Sequence, residues 1–297
     1  MTDPDEIEEI MARVHRLELR AKRLVKETFA GDYHSSFKGQ GLDFDEFREY
    51  QHGDEIRFID WNVTARLGTP FIRKFREERE LSAIIAVDLS ASMNYGSVRL
   101  SKREMAAEIA ALIAFSARDN GDKVGLLLFA DEPLLYLPPA KGTKHILRCI
   151  REILATPSPA GAVNFPAATK VMMKAIRQKS LLFLLSDFIG ADFTKSLATL
   201  SQRHDLVALR LFDPIEQDLP AVGKVTLIDP ETGYERVVNT SNSNVRMGFS
   251  KLSRRYREGI EKTFKRYDID HAALASNEDP FKVLHGLFQR RAKRKQS

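Results

Sequence analysis

Beyond residue 81, short runs of consecutive apolar residues alternate with stretches in which apolar positions recur every three or four residues. The runs end at Asp88 (after Ala83-Ile84-Ile85-Ala86-Val87), at Phe129, at Ser186 and at Phe212. Each is apolar on successive positions, as a strand covered on both faces must be. Helices are predicted between them over about 101–119, 142–154, 166–179 and 191–203. The first opens with the capping box Ser101-Lys102-Arg103-Glu104 and stops at Asn120-Gly121. The alternation predicts an α/β fold, a doubly wound, mostly parallel sheet with helices on both faces. Leu134-Leu135-Tyr136-Leu137 follows the preceding strand too closely for a crossover and is expected as an antiparallel edge strand.

The flanking segments read differently. Ile7, Ile10, Met11, Val14, Leu17, Leu24 and Val25 mark an amphipathic helix over about 6–29, its other faces carrying Arg13, Arg16, Arg20 and Arg23. Residues 32–80, with glycines, aromatics and both signs of charge, suggest a small β-rich extension in which Trp61 is a core anchor. Two β-prone runs, 224–228 and 234–238, flank Asp229-Pro230-Glu231-Thr232-Gly233 and predict a hairpin that completes that extension. A long helix follows at about 248–267, then a last strand at 269–274 and a terminal helix opening at Asp279-Pro280. The expected divisions are therefore residues 1–31, 32–80 (completed by 224–240), 81–288 and a basic, disordered tail, 289–297.

Charge narrows the function. The formal net charge of +5 is carried by Arg290, Arg291, Lys293, Arg294 and Lys295, so the basicity is local and a nucleic-acid partner is not expected. The single cysteine, Cys149, sits among apolar helix positions, where a buried, inert thiol is expected. The acidic start, Met1-Thr2-Asp3-Pro4-Asp5-Glu6, lacks the apolar core of a signal peptide, and no run approaches the ~20 apolar residues of a membrane span. A cytoplasmic protein is expected.

Candidate chemistry begins at Asp88-Leu89-Ser90-Ala91-Ser92, directly after the first apolar run. One carboxylate and two hydroxyls at alternate positions suit a hard divalent cation that keeps some of its waters. This D-x-S-x-S pattern resembles the metal-ion-dependent adhesion site of von Willebrand factor A domains, in which neutral hydroxyls leave the ion free to take a partner's carboxylate. The runs from Phe37 to Asp54 and Arg57 to Arg66, together with Asp213-Pro214, Leu219-Pro220 and 229–233, resemble a bacterial family of unknown function that carries a von Willebrand A-like domain. The likeness spans about residues 10–290. It implies a von Willebrand A-like sheet in which Asp187 lies beside Asp88 at a topological switch point, where open α/β sheets bind ligands. Asp88, Ser90, Ser92 and Asp187 are then the expected ligands of Mg²⁺ or Mn²⁺. The family pattern also implies a threonine ligand on the loop before residue 166; here that position is Val163, which has no oxygen, so weak metal binding or none is expected. Family genes tend to lie beside those of MoxR-type AAA+ ATPases, which implies such an ATPase and a client protein as partners.

The leading reading is a non-enzymatic, metal-assisted protein-binding adaptor, with Asn94 and Asn164 on the rim of its docking crevice. The alternative is a metal-dependent hydrolase or nuclease using Asp43, Asp45, Glu46, Glu49, Asp54, Glu55 and Asp60. Arg48, Arg57, Arg66 and Arg73 are interspersed with those acids, as in structural ion pairs. No P-loop, dinucleotide motif or Ser-His-Asp grouping occurs in the sequence, and the histidines have no metal-ligand spacing.

Overall fold

The computed structural model describes residues 4–26, 30–37, 43–51, 54–76, 81–159, 161–190 and 192–296. They fall into two compact units, Lys38–Glu80 and the rest of the chain. The chain opens with α1 (Pro4–Leu24) and α2 (Ala30–Phe37), both in the larger unit. Residues 27–29, the end of the first expected helix, lie outside the described residues. The second helix corrects the start of the expected β-rich segment. Tyr33, Ser36 and Phe37 recur at helical spacing and are buried, and the Ser36 hydroxyl donates to the Phe288 carbonyl at 2.6 Å.

The smaller unit is a hairpin and a short helix. β1 (Asp43–Glu49) pairs antiparallel with β2 (Phe71–Arg76), and α3 (Trp61–Leu67) lies between them in sequence. Asp60 caps α3 by accepting from the amides of Asn62 and Val63 at 2.9 and 3.1 Å. Gly68 ends it in the left-handed conformation, φ 76°. Trp61 corrects another expectation. At the first position of so short a helix it has no covering layer, and it is 66% exposed.

The larger unit alternates as the apolar runs require. β3 (Ser82–Asp88) leads to α4 (Lys102–Asp119), β4 (Lys123–Phe129) and β5 (Pro133–Ala140). Next come α5 (Thr143–Ala155), α6 (Phe165–Ala175), β6 (Leu181–Ser186), α7 (Thr194–Arg203) and β7 (Asp205–Phe212). The hairpin β8 (Lys224–Ile228) and β9 (Glu235–Asn239), then α8 (Ser243–Arg266), β10 (Asp270–Ala275) and α9 (Pro280–Gln296) complete it. The sheet has the order β10-β7-β6-β3-β4-β5, parallel throughout except for the β5 edge. This is the expected doubly wound, mostly parallel α/β fold. Alternate side chains feed two cores. Ala83, Ile85 and Val87 of β3 face the layer of α1, α4, α5 and α9, whereas Ile84 and Ala86 face that of α6, α7 and α8. Burying each Ile or Leu there contributes roughly 1.5–3 kcal/mol.

Three details position or correct the rest. α1 buries Val14 and Ala21 and is tied to α4 and the start of α9, with Arg20 bonded to Glu108 at 2.9 Å and to Asp279 at 3.1 Å. Its basic face is thus partly engaged rather than solvated throughout. The β8–β9 hairpin, expected to complete the 32–80 segment, is among the described residues a two-stranded sheet of its own. Its base is closed within the larger unit, where Thr240 bonds through its hydroxyl to Val222 and Gly223. The tail expected to be disordered is helical through Gln296. It has little apolar surface, but Arg291 is 4% exposed because it bonds Asp205, Asp270 and the Ser36 carbonyl and covers the Phe37 ring. Among the described residues, no helix is long and apolar enough to cross a membrane.

Candidate functional site

β3 lies between β4 and β6, so the chain leaves its carboxyl end toward one face of the sheet and leaves that of β6 toward the other. The cleft this creates is where side chains of separate loops meet. After Asp88, the Leu89 amide makes one more ladder-like bond, to the Phe129 carbonyl at 2.7 Å. Ser90 then starts a 3₁₀ turn over Ala91–Asn94 that turns Ser92 back inward. After Asp187, Phe188 takes a left-handed conformation, φ 59°, uncommon for a non-glycine residue. Its ring is stacked on Phe165 at 5.7 Å and edge-on to Phe193 and Phe264, and Tyr256 donates to its carbonyl. That packing holds the reversal, and the Ile189 amide binds Asp187 Oδ1 at 3.0 Å.

The structure brings Asp88, Ser90, Ser92 and Asp187 together. Ser90 Oγ and Ser92 Oγ are 3.2 Å apart, and Ser92 Oγ donates to Asp187 Oδ2 at 2.7 Å. Asp88 is engaged from two sides, by the Ser90 amide at 2.8 Å and by Ser186 Oγ at 2.6 Å. All four residues are at most 5% exposed, so the cluster is interior. Burial pushes the Asp88 carboxyl up to about 7, with the nearby Asp187 charge adding to it.

A fifth residue went unforeseen. Lys102, the first residue of α4, is 0% exposed, and its Nζ lies 2.6 Å from Asp187 Oδ2 and 2.5 Å from Glu216 Oε1. Burial disfavours its charged form, but Asp187 and Glu216 outweigh that and hold its pKa above the ordinary value. Glu216 is itself oriented by the Asp213 amide at 2.9 Å. A lysine after a serine cap reads as a solvated charge, and nothing local in the sequence marks this one as buried. Ser186 was likewise legible only as the end of an apolar run.

This arrangement does not fit a resident divalent ion. Asp187 Oδ2, the oxygen an ion would share with Ser92, already receives the Lys102 ammonium. Both Asp88 oxygens accept bonds from the protein. Val163 is 3% exposed within the apolar cluster of Phe129 and Phe165 and supplies no donor. Of the expected rim, Asn94 is exposed and accepts from Ser158 Oγ at 3.3 Å. Asn164 is also exposed, but it caps α6 by accepting from the Ala167 amide at 3.1 Å. Tyr95 and Val98 are exposed beside Asn94, at 43% and 64%.

Of the rival acidic set, Asp54, Glu55 and Asp60 are used structurally, and Glu49 is exposed. Asp54 accepts from Arg48 and the Gln51 amide, both at 2.8 Å, Glu55 pairs with Arg57 at 2.5 Å, and Asp60 caps α3. The side chains of Asp43, Asp45 and Glu46 lie outside the described residues.

The pattern of DUF58, a protein of unknown function, matches residues 46–259, more than half of the sequence. The chain belongs to the DUF58 family. It is 29% identical over 273 residues to the uncharacterized proteins Mb1516 of Mycobacterium bovis and Rv1480 of Mycobacterium tuberculosis, covering 91% of this chain and 86% of each of theirs. Among solved structures it is similar to the conserved hypothetical protein BatB from Bacteroides thetaiotaomicron (TM-score 0.45, 17% identity, 72% of this chain and 99% of that one). It is also similar to the SpRpn10 VWA domain (TM-score 0.40, 11% identity, 71% and 95%).

Proposed function

We propose that this DUF58 chain is a non-enzymatic protein-binding adaptor that works with a MoxR-type AAA+ ATPase on a client protein in the cytoplasm. The observation that carries the reading is the rim of the site. Asn94, Tyr95 and Val98 are exposed on the loop that follows Ser92, next to an internally bonded polar centre at the switch point of the sheet. Protein interfaces are enriched in exposed aromatic side chains such as Tyr95, with polar groups at their rim. The ATPase is suggested by the family resemblance, and it would supply the nucleotide chemistry for which this sequence has no P-loop. Mg²⁺ or Mn²⁺ has no part in this reading, because the Lys102 ammonium already sits on Asp187.

The test is affinity for the MoxR-type ATPase, with and without ATP, for the wild type, Asn94→Lys and Val98→Asp. These exposed positions leave the buried cluster intact. A loss of about tenfold or more is expected at each. Unchanged affinity in both variants would move the interface to another face.

A further inference from the structure

We infer that the Lys102 ammonium is the resident cation of the switch-point cluster, standing on Asp187 where an adhesion-site metal would bind. The same oxygen, Asp187 Oδ2, accepts from Ser92 Oγ at 2.7 Å and from Lys102 Nζ at 2.6 Å. An ion joining Ser92 to Asp187 would sit about 2.1 Å from that oxygen. It would therefore be pressed against a positive charge that Asp187 already neutralises.

The lysine is built in rather than adventitious. Its side chain has no exposed surface, and its backbone amide donates to the Tyr95 carbonyl at 3.0 Å. Ser101 and Glu104 cap the helix reciprocally at its base. Gly96 lets the preceding loop approach that base closely, since a Cβ there would strike the Leu100 carbonyl and the Ser101 backbone. On its far side the ammonium meets Glu216, which the Asp213 amide fixes at 2.9 Å. To admit a metal the protein must withdraw Lys102 from two carboxylates at once, and Val163 offers no oxygen in exchange. The cluster is thus a permanent ionic pin joining β3, α4, β6 and the turn after β7, and partner docking on its rim is independent of divalent ions.

Metal affinity itself is the test, read by calorimetry with Mg²⁺ and Mn²⁺ on the wild type, Lys102→Met, and Lys102→Met combined with Val163→Thr. Because no partner is involved, the result is separate from that of the docking experiment. Affinity should rise roughly tenfold or more on removing the ammonium, rise again with the added hydroxyl, and vanish when Asp88→Ala is combined with either. Wild-type affinity equal to or tighter than that of Lys102→Met would overturn the inference. Should Lys102→Met fail to fold, the wild type alone decides by amide NMR with Mn²⁺. Ser90, Ser92 and Asp187 should stay as sharp as amides remote from the site, and their selective broadening would overturn it.

Discussion

Asp213 Oδ2 accepts hydrogen bonds from both the Ser97 amide and the Ser276 hydroxyl, each at 2.7 Å, and so ties the loop before α4 to the loop after β10. The Ser97 hydroxyl and the Ile215 amide bind its other oxygen. Through its own amide it orients Glu216, and through Glu216 it reaches Lys102. The Asp213-Pro214 pair that marks the family in the sequence therefore supports the site from a distance.

Asp213→Ala is expected to cost about 2–4 kcal/mol, since four donors lose an ionised acceptor in the interior. Burial pushes the Asp213 carboxyl up, but the bonds from Ser97, Ser276 and Ile215 outweigh it and hold the pKa below its ordinary 3.8. A depressed folded pKa gives stability that is present above the unfolded value and lost as pH falls through the folded one. Urea titrations at several pH values should show an acid-limb decline below about pH 4 in the wild type that is shallower in Asp213→Asn.

The sheet and most of the cluster were legible because their signals are local. Consecutive apolar residues mark doubly covered strands, and Asp88, Ser90, Ser92 and Asp187 sit just past two of them. Lys102 was not legible, because its burial depends on acids 85 and 114 residues away. Periodicity reports which face of a helix is apolar, not which charge a distant loop will cover. Trp61 failed for the converse reason: an apolar side chain was read as core, although its short helix has no covering layer. The hairpin at 224–239 was visible as a hairpin, but nothing in its sequence names the surface it serves.

Cys149 should be inert while the protein is folded. It is 1% exposed, and burial pushes its thiol up to about 12, leaving almost no thiolate at neutral pH. Labelling with a thiol-specific disulfide reagent should be slow in buffer and should accelerate only across the global urea transition. Rapid labelling without denaturant would mean that α5 opens locally.

His204, 3% exposed beside Asp205, sets a second pH response. Burial, assisted by the Arg203 charge, pulls its pKa down from 6.5 to about 4. The unfolded chain therefore binds more protons than the folded one between these values, so stability is lost as pH falls from about 6.5 to 4. His204→Phe removes the titration while keeping a ring in place. Asp88, whose raised carboxyl contributes a slope of opposite sign, is common to both proteins, so the test is the difference between them. The unfolding free energy of His204→Phe relative to the wild type should grow as pH falls from about 6.5 to 4, and a pH-independent difference would assign the response to another group.

Arg291 makes the last helix part of the fold. Its guanidinium is 4.6 Å from the Phe37 ring, donates to the Ser36 carbonyl at 3.1 Å, and pairs with both Asp205 and Asp270. Asp270 has a side chain only 11% exposed and takes a further bond from Arg294 at 3.0 Å. Arg291→Ala would leave these carboxylates short of their main partner and expose a buried carbonyl, a loss of about 3–5 kcal/mol. Lysine cannot reproduce the effect, because one ammonium cannot satisfy two carboxylates and a carbonyl in the plane that the guanidinium spans. Arg291→Lys should therefore recover less than half of the loss in a urea titration, and truncation after Phe288 should resemble Arg291→Ala. If truncation left the midpoint unchanged, the terminal turns would contribute charge but no stability, and α2 would be held by the contacts that remain, the Ser36–Phe288 bond, the Asp32–His285 pair and the packing of Tyr33 and Phe37 on Phe288.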